Sequence, residues 1–328
     1  MTMTDSRELE QLWASAYFAL PRRSAVAVRG RDATGFLHRM STQHLESLGP
    51  GDATLSCLIN RQGRVVDVAH HIVLDHEHIA LLGATGERRD IVAWLDSFLF
   101  AERVVLEDLT GKGAFALLAG GQAEAVLSRL ELIPPAAPWA MTAGQGMHAV
   151  RTFSLGTSLR PVPSFLLWSA DLESSKLEHR LVEAGARLAC AERWETWRVA
   201  AGVPGEIETD GRANPLELAL HDAIHWSKGC YIGQEVLARI DNYGKQARQL
   251  VSLRTDDPTG IVVGDDVFRE GTLIGEVTSV SPWVWGTEPN LLALVRHKGD
   301  SVGVSFEVGA PRHCAVGSPR AAAQAPHD

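Results

Sequence analysis

The chain has 328 residues, of which 45% are hydrophobic and 22% charged, a composition that is ordinary for globular proteins and excludes a disordered chain. Its 31 basic and 40 acidic residues give a formal charge of −9 with no basic stretch, so we expect no broad nucleic-acid-binding surface. No apolar run approaches the roughly 18 residues of a membrane-spanning helix, and residues 1–12 lack a signal-peptide pattern. We therefore expect a cytoplasmic protein with no membrane association.

The first two thirds of the chain repeat one unit, in which an apolar strand runs through a polar or glycine turn into an amphipathic helix. Two further strands, at 54–59 and 65–74, form a hairpin between the first two units. Strands interleaved with helices and hairpins predict α+β layers of the split β-α-β type. The predicted strand and helix pairs are 24–29 with 33–40, 79–82 with 88–100, 114–118 with 123–132, and 165–168 with 174–184.

Four histidines cluster near the end of the 65–74 strand. His70 and His71 are adjacent, so they point to opposite faces of a strand. His76 and His78 belong to a polar stretch that is typical of a hairpin turn. The pattern favours a turn over a metal site.

From residue 248 onward the pattern changes to short strands separated by Gly, Pro and Asp, which predicts a small C-terminal β-barrel. Its strands are predicted at 250–253, 266–268, 273–280, 291–295 and 302–306. Two α+β domains are expected at 1–110 and 111–246, and their chain segments can be interleaved. The barrel follows at 247–317 and a disordered tail at 318–328.

The segment around Cys230 differs from the rest in its chemistry. Gly229 and Gly233 flank the cysteine and allow another group to approach it closely. Apolar residues at helical spacing predict a helix from Gln234, so Cys230 lies just before a helix N-terminus and two residues after Lys228. A helix N-terminus and a nearby cation lower the pKa of a thiol and make it more reactive. An equally supported local interpretation is a small buried cysteine in a glycine turn.

The four cysteines are far apart and form no Cys-x-x-Cys pair, so this chain alone is expected to form neither a disulfide framework nor a metal or cluster site. Cys230 can then bind a metal cluster only together with a partner protein. The cysteines are Cys57, Cys190, Cys230 and Cys314.

The run KGCYIGQEVLAR, from Lys228 to Arg239, resembles the signature of the YgfZ family of folate-binding proteins, within the superfamily of the glycine-cleavage T protein. Further elements of the superfamily occur in the expected order, so the resemblance covers nearly the whole chain. It implies three domains around a central cavity that holds tetrahydrofolate or a derivative. The further elements are 28–37, 198–204, 214–217 and 275–279.

The resemblance implies site residues of two kinds. Cys230 and Lys228 are the candidate catalytic residues, acting on iron–sulfur scaffold or client proteins as partners. Asp67 and Glu217 are the candidates for pterin NH groups, and Arg198 for an anionic or carbonyl part of the folate. The remaining candidate folate-binding residues are Tyr231, Gln234 and Glu235.

Two positions depart from the superfamily pattern. Ala200 replaces the glutamate of the Arg-x-Glu element, and Val68 replaces the second aspartate of a pair that begins at Asp67. The resemblance therefore favours an accessory protein for iron–sulfur cluster assembly or repair over a glycine-cleavage enzyme. The alternatives are a folate-dependent one-carbon transferase of the aminomethyltransferase type, with Asp67 assisting proton movement, and a non-catalytic folate sensor or tRNA-modification partner.

Overall fold

The computed structural model describes residues 11–85, 90–156, 161–244, 246–296, 302–309 and 313–318. Strands and short helices alternate through the first two thirds of the chain. The strands there are, in chain order, β1 (Tyr17–Ala19), β2 (Ala25–Arg29), β3 (Ala53–Ile59), β4 (Val65–Asp75), β5 (His78–Gly83), β6 (Val105–Asp108), β7 (Ala114–Ala119), β8 (Met141–Gly144), β9 (Met147–Arg151), β10 (Leu155–Gly156), β11 (Pro161–Val162), β12 (Ser164–Ser169) and β13 (Arg187–Leu188). The helices are α1 (Ala33–Met40), α2 (Ile91–Asp96), α3 (Ala123–Arg129), α4 (Ser174–Glu183), α5 (Ala191–Ala200) and α6 (Gln234–Tyr243), with a 3-10 turn at His221–Ala223.

The first sheet is antiparallel and has the strand order β3-β4-β5-β2-β6. Strand β2 shows how alternation buries both of its faces. Val26 and Val28 belong to the apolar cluster that contains α1, whereas Ala25 and Ala27 belong to the cluster on the opposite face. The sheet is therefore a central layer, covered by helices on one face and by a second sheet on the other.

The second sheet has the order β13-β1-β7-β12-β9-β8. Strand β1 pairs antiparallel with β7 and parallel with β13, so residues 17–19 join a sheet built otherwise from residues 114–188. Phe115 and Leu117 of β7 share an apolar cluster with Ala25 and Ala27 of the first sheet. The domain limits stay a prediction, but this pairing ties the start of the chain to its middle.

The C-terminal strands close into a barrel in the order β14-β17-β16-β15-β18-β19. They are β14 (Arg248–Arg254), β15 (Asp266–Arg269), β16 (Thr272–Val280), β17 (Leu291–Arg296), β18 (Ser305–Val308) and β19 (His313–Ser318). In β17, Leu291 and Ala293 lie in the barrel core, while Leu292 and Leu294 belong to a cluster that includes Trp197 of α5. Alternation on this strand therefore both fills the barrel and attaches it to the rest of the protein.

The predicted α+β class with a C-terminal barrel is confirmed. The helix predicted over 88–100 is shorter, since Ser97 and Phe98 donate backbone hydrogen bonds that close the last turn of α2, and Phe100 is 89% exposed. The strand predicted from residue 302 begins only at Ser305, because Gly303 adopts a turn with φ of 73°. Residues 88–89 and residues 319–328 of the predicted tail lie outside the described residues, whereas Ser318, its first residue, ends a barrel strand and pairs with Ser252.

Within the ranges that the structure describes, the helices are all too short or too polar to cross a membrane.

Candidate functional site

The side chain of Lys228 is buried and joins the Cys230 segment to the end of α1. Its Nζ donates hydrogen bonds to the carbonyl oxygens of His38 (2.5 Å), Ser41 (2.7 Å) and Gln43 (2.7 Å). An ammonium group has three hydrogens, and these three contacts use them. Carbonyl groups at a helix C-terminus have no partner within the helix, and Lys228 provides one. Lys228 is therefore an anchor that fixes the position of the segment carrying the thiol.

The Cys230 side chain is exposed, next to the buried Tyr231. The Lys228 ammonium lies 4.9 Å from the centre of the Tyr231 ring, a cation–π contact that fixes the residues on both sides of the cysteine. The alternative of a small buried cysteine does not hold for Cys230. It describes Cys57, which is 0% exposed and whose thiol pKa is raised by burial.

Helix α6 begins at Gln234, as the sequence pattern predicts, with Gly233 in the preceding position. Gln234 is half-buried and Glu235 is exposed in the first turn. Gly233 has a φ of 78°, and a Cβ built on it would lie 2.6 Å from the carbonyl oxygen of Asn60 in the β3–β4 turn. A side chain is therefore excluded at Gly233 by both backbone conformation and space.

Gly229, on the other side of the cysteine, has no such restriction. The nearest atom to a Cβ built on Gly229 is Nε2 of His38, at 3.8 Å, which is an ordinary contact distance. We expect Gly233→Ala to lower the free energy of unfolding by about 2–4 kcal/mol, and Gly229→Ala to change it by less than about 1 kcal/mol. Urea unfolding of the two variants checks this. Equal losses would contradict the role assigned to Gly233.

A second feature is a cavity of about 420 Å³ between α5, the 203–208 loop and barrel strand β16. An adjoining smaller pocket shares Arg23, Trp194 and Arg198 with it and adds apolar side chains of the second sheet, including Leu117 and Phe153. The cavity thus combines an apolar wall with a few charged groups, as small-molecule sites commonly do. Its lining residues are Pro21, Arg22, Arg23, Thr85, Trp194, Glu195, Arg198, Gly205, Glu206, Ile207, Glu208, Val263, Thr278, Ser279 and Val280.

Arg198 lines this cavity and is held by neighbours from three elements. It donates to Glu195 on its own helix, to the carbonyl oxygen of Val203 (2.6 Å) and to Oγ of Ser279 on β16 (2.8 Å). Glu208, 1% exposed, lies 3.6 Å from the Arg198 guanidinium and accepts from the Ser279 hydroxyl (2.6 Å). Burial opposes the charge of Arg198, but its contacts with Glu195 and Glu208 outweigh burial and raise its pKa. Arg198 therefore presents a fixed positive charge at the cavity wall.

Arg23, which the sequence did not single out, lines both the cavity and the adjoining pocket. Its Nε is buried and has no hydrogen-bond partner among the described residues. Burial lowers the pKa of Arg23 to about 10, and the charge of Asp67 opposes that shift. A buried donor without a partner costs about 1–3 kcal/mol. Nε itself is not accessible, so it is through other atoms that Arg23 lines the cavity. The sequence feature that could have identified Arg23 is the charged pair Arg22-Arg23, which comes shortly before a strand that is buried on both faces.

Asp67 lies on β4, buried, and does not line the cavity itself. Its carboxylate accepts hydrogen bonds from the Val68 amide (2.8 Å) and from the Ser24 hydroxyl (3.3 Å). Ser24 follows Arg23 in the chain, and the charges of Asp67 and Arg198 both act on the Arg23 guanidinium. The structure therefore places both predicted residues near Arg23.

Glu217 occupies a different place. Its carboxylate, 1% exposed, accepts from Arg64 (2.9 Å), Arg248 (3.2 Å) and the amide of Asn214 (3.1 Å). Arg64 belongs to the β3–β4 turn and Arg248 to the first barrel strand, so Glu217 connects the first sheet to the barrel. It does not line the cavity, and neither does any residue from 228 to 235.

Ala200, where the superfamily commonly has a glutamate, is 1% exposed in the cluster that contains Trp197 and Val199. The structure thus brings Arg198 and Asp67 together with Arg23, and keeps the thiol segment as a second, separate feature.

Comparison with known proteins agrees with this architecture. A chloroplastic protein of Arabidopsis thaliana, named as a transferase, is 27% identical over 87% of this chain and 66% of its own length, so the chain spans about two thirds of that relative. The tRNA-modifying protein YgfZ of Sodalis glossinidius is 26% identical over 85% of this chain and 87% of its own. The crystal structure of the glycine cleavage system aminomethyltransferase T from Bartonella henselae superposes with a TM-score of 0.77 at 19% identity, covering 95% of this chain and 88% of that one.

The fold is therefore that of the T protein, as predicted. The family model described as the GCVT N-terminal domain matches residues 18–228, which is more than half of the chain. The chain belongs to the GCVT N-terminal domain family.

Proposed function

We propose that this is a YgfZ-type protein that binds tetrahydrofolate or a derivative in the cavity and uses the Cys230 thiol in the assembly or repair of iron–sulfur clusters in partner proteins. The observation that carries the proposal is the exposed thiol on a segment that Lys228 fixes to α1. An accessible thiol in a fixed position can act on a partner without rearrangement of the fold.

The cavity fits a reduced folate in its chemistry. Trp194 at the cavity wall offers apolar surface to a flat ring, and the positive charges of Arg23 and Arg198 attract the carboxylate groups of a folate. The two guanidinium groups of Arg23 and Arg198 at the cavity wall are the feature that supports an anionic ligand there. A bound reduced folate supplies a carrier for one-carbon units. Glu217 and residues 231–235 do not line the cavity, so the proposed folate site rests on Arg23 and Arg198, with the charge of Asp67 acting on Arg23.

The thiol role requires a partner. Cys57 is fully buried, and among the described residues no cysteine belongs to a group of metal-ligating side chains that includes Cys230. The remaining ligands of any cluster, or the disulfide or persulfide partner of a transient reaction, come from a scaffold or client protein. The cytoplasmic location stays a prediction, because the Arabidopsis relative is a chloroplastic protein.

The test replaces the thiol and compares it with another exposed cysteine. In cells lacking their own copy of the protein, Cys230→Ala should lower the activity of cluster-dependent enzymes by about tenfold. Cys314→Ala, at an exposed position of the barrel, should complement fully. The purified Cys230→Ala protein should bind tetrahydrofolate within about twofold of the parent, because no residue of its segment lines the cavity. Unchanged enzyme activity in Cys230→Ala would rule out the thiol role.

The folate part is tested separately by titrating the purified protein with tetrahydrofolate and following tryptophan fluorescence. Arg23→Met should weaken binding by about tenfold or more, since it removes a positive charge from the cavity wall. Arg61→Met, in the exposed β3–β4 turn, is the matched control and should leave binding unchanged. Equal affinity in the two variants would show that Arg23 does not contact the folate.

A second candidate function is a folate-dependent one-carbon transferase, favoured by the buried Asp67, whose charge acts on the cavity residue Arg23. A carboxylate assists proton movement at a ligand nitrogen that it reaches directly or through one water. Formation of methylene-tetrahydrofolate from an aminomethyl donor, lost in Asp67→Asn, would support it.

The similarity to a tRNA-modifying YgfZ protein supports a third candidate function, that of a folate sensor or a partner in tRNA modification. In that case Cys230→Ala should leave the activity of cluster-dependent enzymes unaffected.

A further inference from the structure

Two loops meet beside the Cys230 segment and carry a group of histidines. The backbone amide of His225 donates a hydrogen bond to the carbonyl oxygen of Thr42, in the loop that follows α1 (2.9 Å). Thr42 in turn donates through Oγ1 to the Ala223 carbonyl, and Gln43 donates through Nε2 to the Asp222 carbonyl (3.0 Å). Together with the Lys228 contacts, these bonds hold the two loops in one arrangement.

Three metal-ligating side chains lie together on this arrangement. One ligand atom from each of His38, His44 and Glu46 falls within 4.8 Å of the others. The rings of His38 and His44 meet edge to face at 4.9 Å, and His225 lies 5.2 Å beyond His44. His38 is buried, His44 is half-buried and Glu46 is exposed, so the group opens to solvent on one side.

Two of the ring nitrogens have defined neighbours. His44 pairs through Nδ1 with the Ser47 hydroxyl (3.0 Å), an interaction that orients the ring and leaves Nε2 for a ligand. Nδ1 of His38 accepts a long hydrogen bond from the Leu45 amide (3.3 Å), and a metal bond at that nitrogen takes the place of this hydrogen bond.

We propose that His38, His44 and Glu46 form a binding site for one divalent transition-metal ion, next to the loop that carries Cys230. Two imidazoles and one carboxylate suit Zn²⁺, Fe²⁺ or Co²⁺, whereas Mg²⁺ and Ca²⁺ prefer oxygen ligands alone. Three protein ligands leave coordination positions open, and Gly229 lies beside them, with its Cβ position 3.8 Å from Nε2 of His38. The proposal does not depend on folate binding or on the thiol role.

The test uses the full chain, stripped of metal by a chelator under reducing conditions, and Co²⁺ alone as the probe. Visible absorption reports Co²⁺ bound to nitrogen and oxygen ligands, and competition with Zn²⁺ gives the affinity. The parent protein should bind about one equivalent, and His44→Ala and Glu46→Gln should each bind about tenfold more weakly or not at all. His76→Ala, an exposed histidine in the β4–β5 turn, should bind like the parent.

His44 and Glu46 are not buried, so both variants should keep the fold, which circular dichroism and thermal unfolding check. The proposal is overturned if the parent shows no saturable Co²⁺ binding, or if His44→Ala and Glu46→Gln bind as tightly as the parent. It is also overturned if Cys230→Ser abolishes binding while those two variants retain it, because the thiol alone would then hold the ion.

Discussion

Substitution of Glu217 by glutamine is expected to lower the free energy of unfolding by about 2–4 kcal/mol. The carboxylate is 1% exposed and faces two guanidinium groups, of Arg64 and Arg248. Those arginines are 38% and 30% exposed, so water screens part of the charge that the substitution leaves unpaired. This screening places the expected loss at the lower end of the range for broken buried ion pairs.

Urea unfolding measures the loss, and Glu276→Gln is the matched control. Glu276 pairs with Arg212 at 3.1 Å, but its side chain is 43% exposed, and exposed pairs contribute at most about 1 kcal/mol. Because Glu217 joins the first sheet to the barrel, Glu217→Gln should also speed proteolysis between residues 244 and 250. Equal stability of the two variants would show that Glu217 does not hold the barrel in place.

Stability is expected to fall steeply as the pH drops below 6.5, through His70 and His71. Both side chains are 0% exposed, and burial lowers the pKa of each to about 3, with the nearby charges of Arg23 and Lys228 adding to the effect. Above pH 6.5 the histidines are neutral in both states and exert no pH dependence. Between pH 6.5 and about 3 the unfolded chain binds their protons and the folded chain does not, so unfolding is favoured by up to about 1.4 kcal/mol per pH unit for each.

The two histidines together should cost about 4 kcal/mol by pH 5. The measurement is urea unfolding at steps from pH 7 to pH 4. Neither ring nitrogen of His71 has a hydrogen-bond partner in the described structure, so His71→Leu should keep stability at pH 7 and remove about half of the slope. His76→Asn, at an exposed position, should keep the full slope. A slope unchanged by His71→Leu would contradict the assignment.

The cavity and the thiol segment are separate features, and this separation shapes how variants should behave. Arg23 and Arg198 line the cavity, whereas Cys230 is exposed outside it. Folate affinity and thiol-dependent activity should therefore respond to different substitutions.

The sequence by itself determined the local structure and identified the segment that carries Cys230. Alternation along β2 and helical spacing after Gly233 each report on neighbours within a few residues, and they predicted the strand, the helix and the glycine turn correctly. The Lys228 to Arg239 signature marked the segment that turned out to carry an exposed, fixed thiol. The length of helix α2 was overestimated because the amides of Phe98 and Leu99 bond to the carbonyl oxygens three residues back and end the helix, which the spacing of apolar residues does not report.

The tertiary structure alone decided which distant side chains meet and what each one does. Lys228 is near Cys230 in sequence, yet its hydrogens go to carbonyls of residues 38, 41 and 43, since a buried ammonium takes the acceptors that packing offers. Glu217 matched a folate-binding element but meets two arginines from other elements instead. Arg23 became a cavity residue through contacts with partners more than 40 positions away, and long-range packing of this kind leaves no mark on local sequence periodicity.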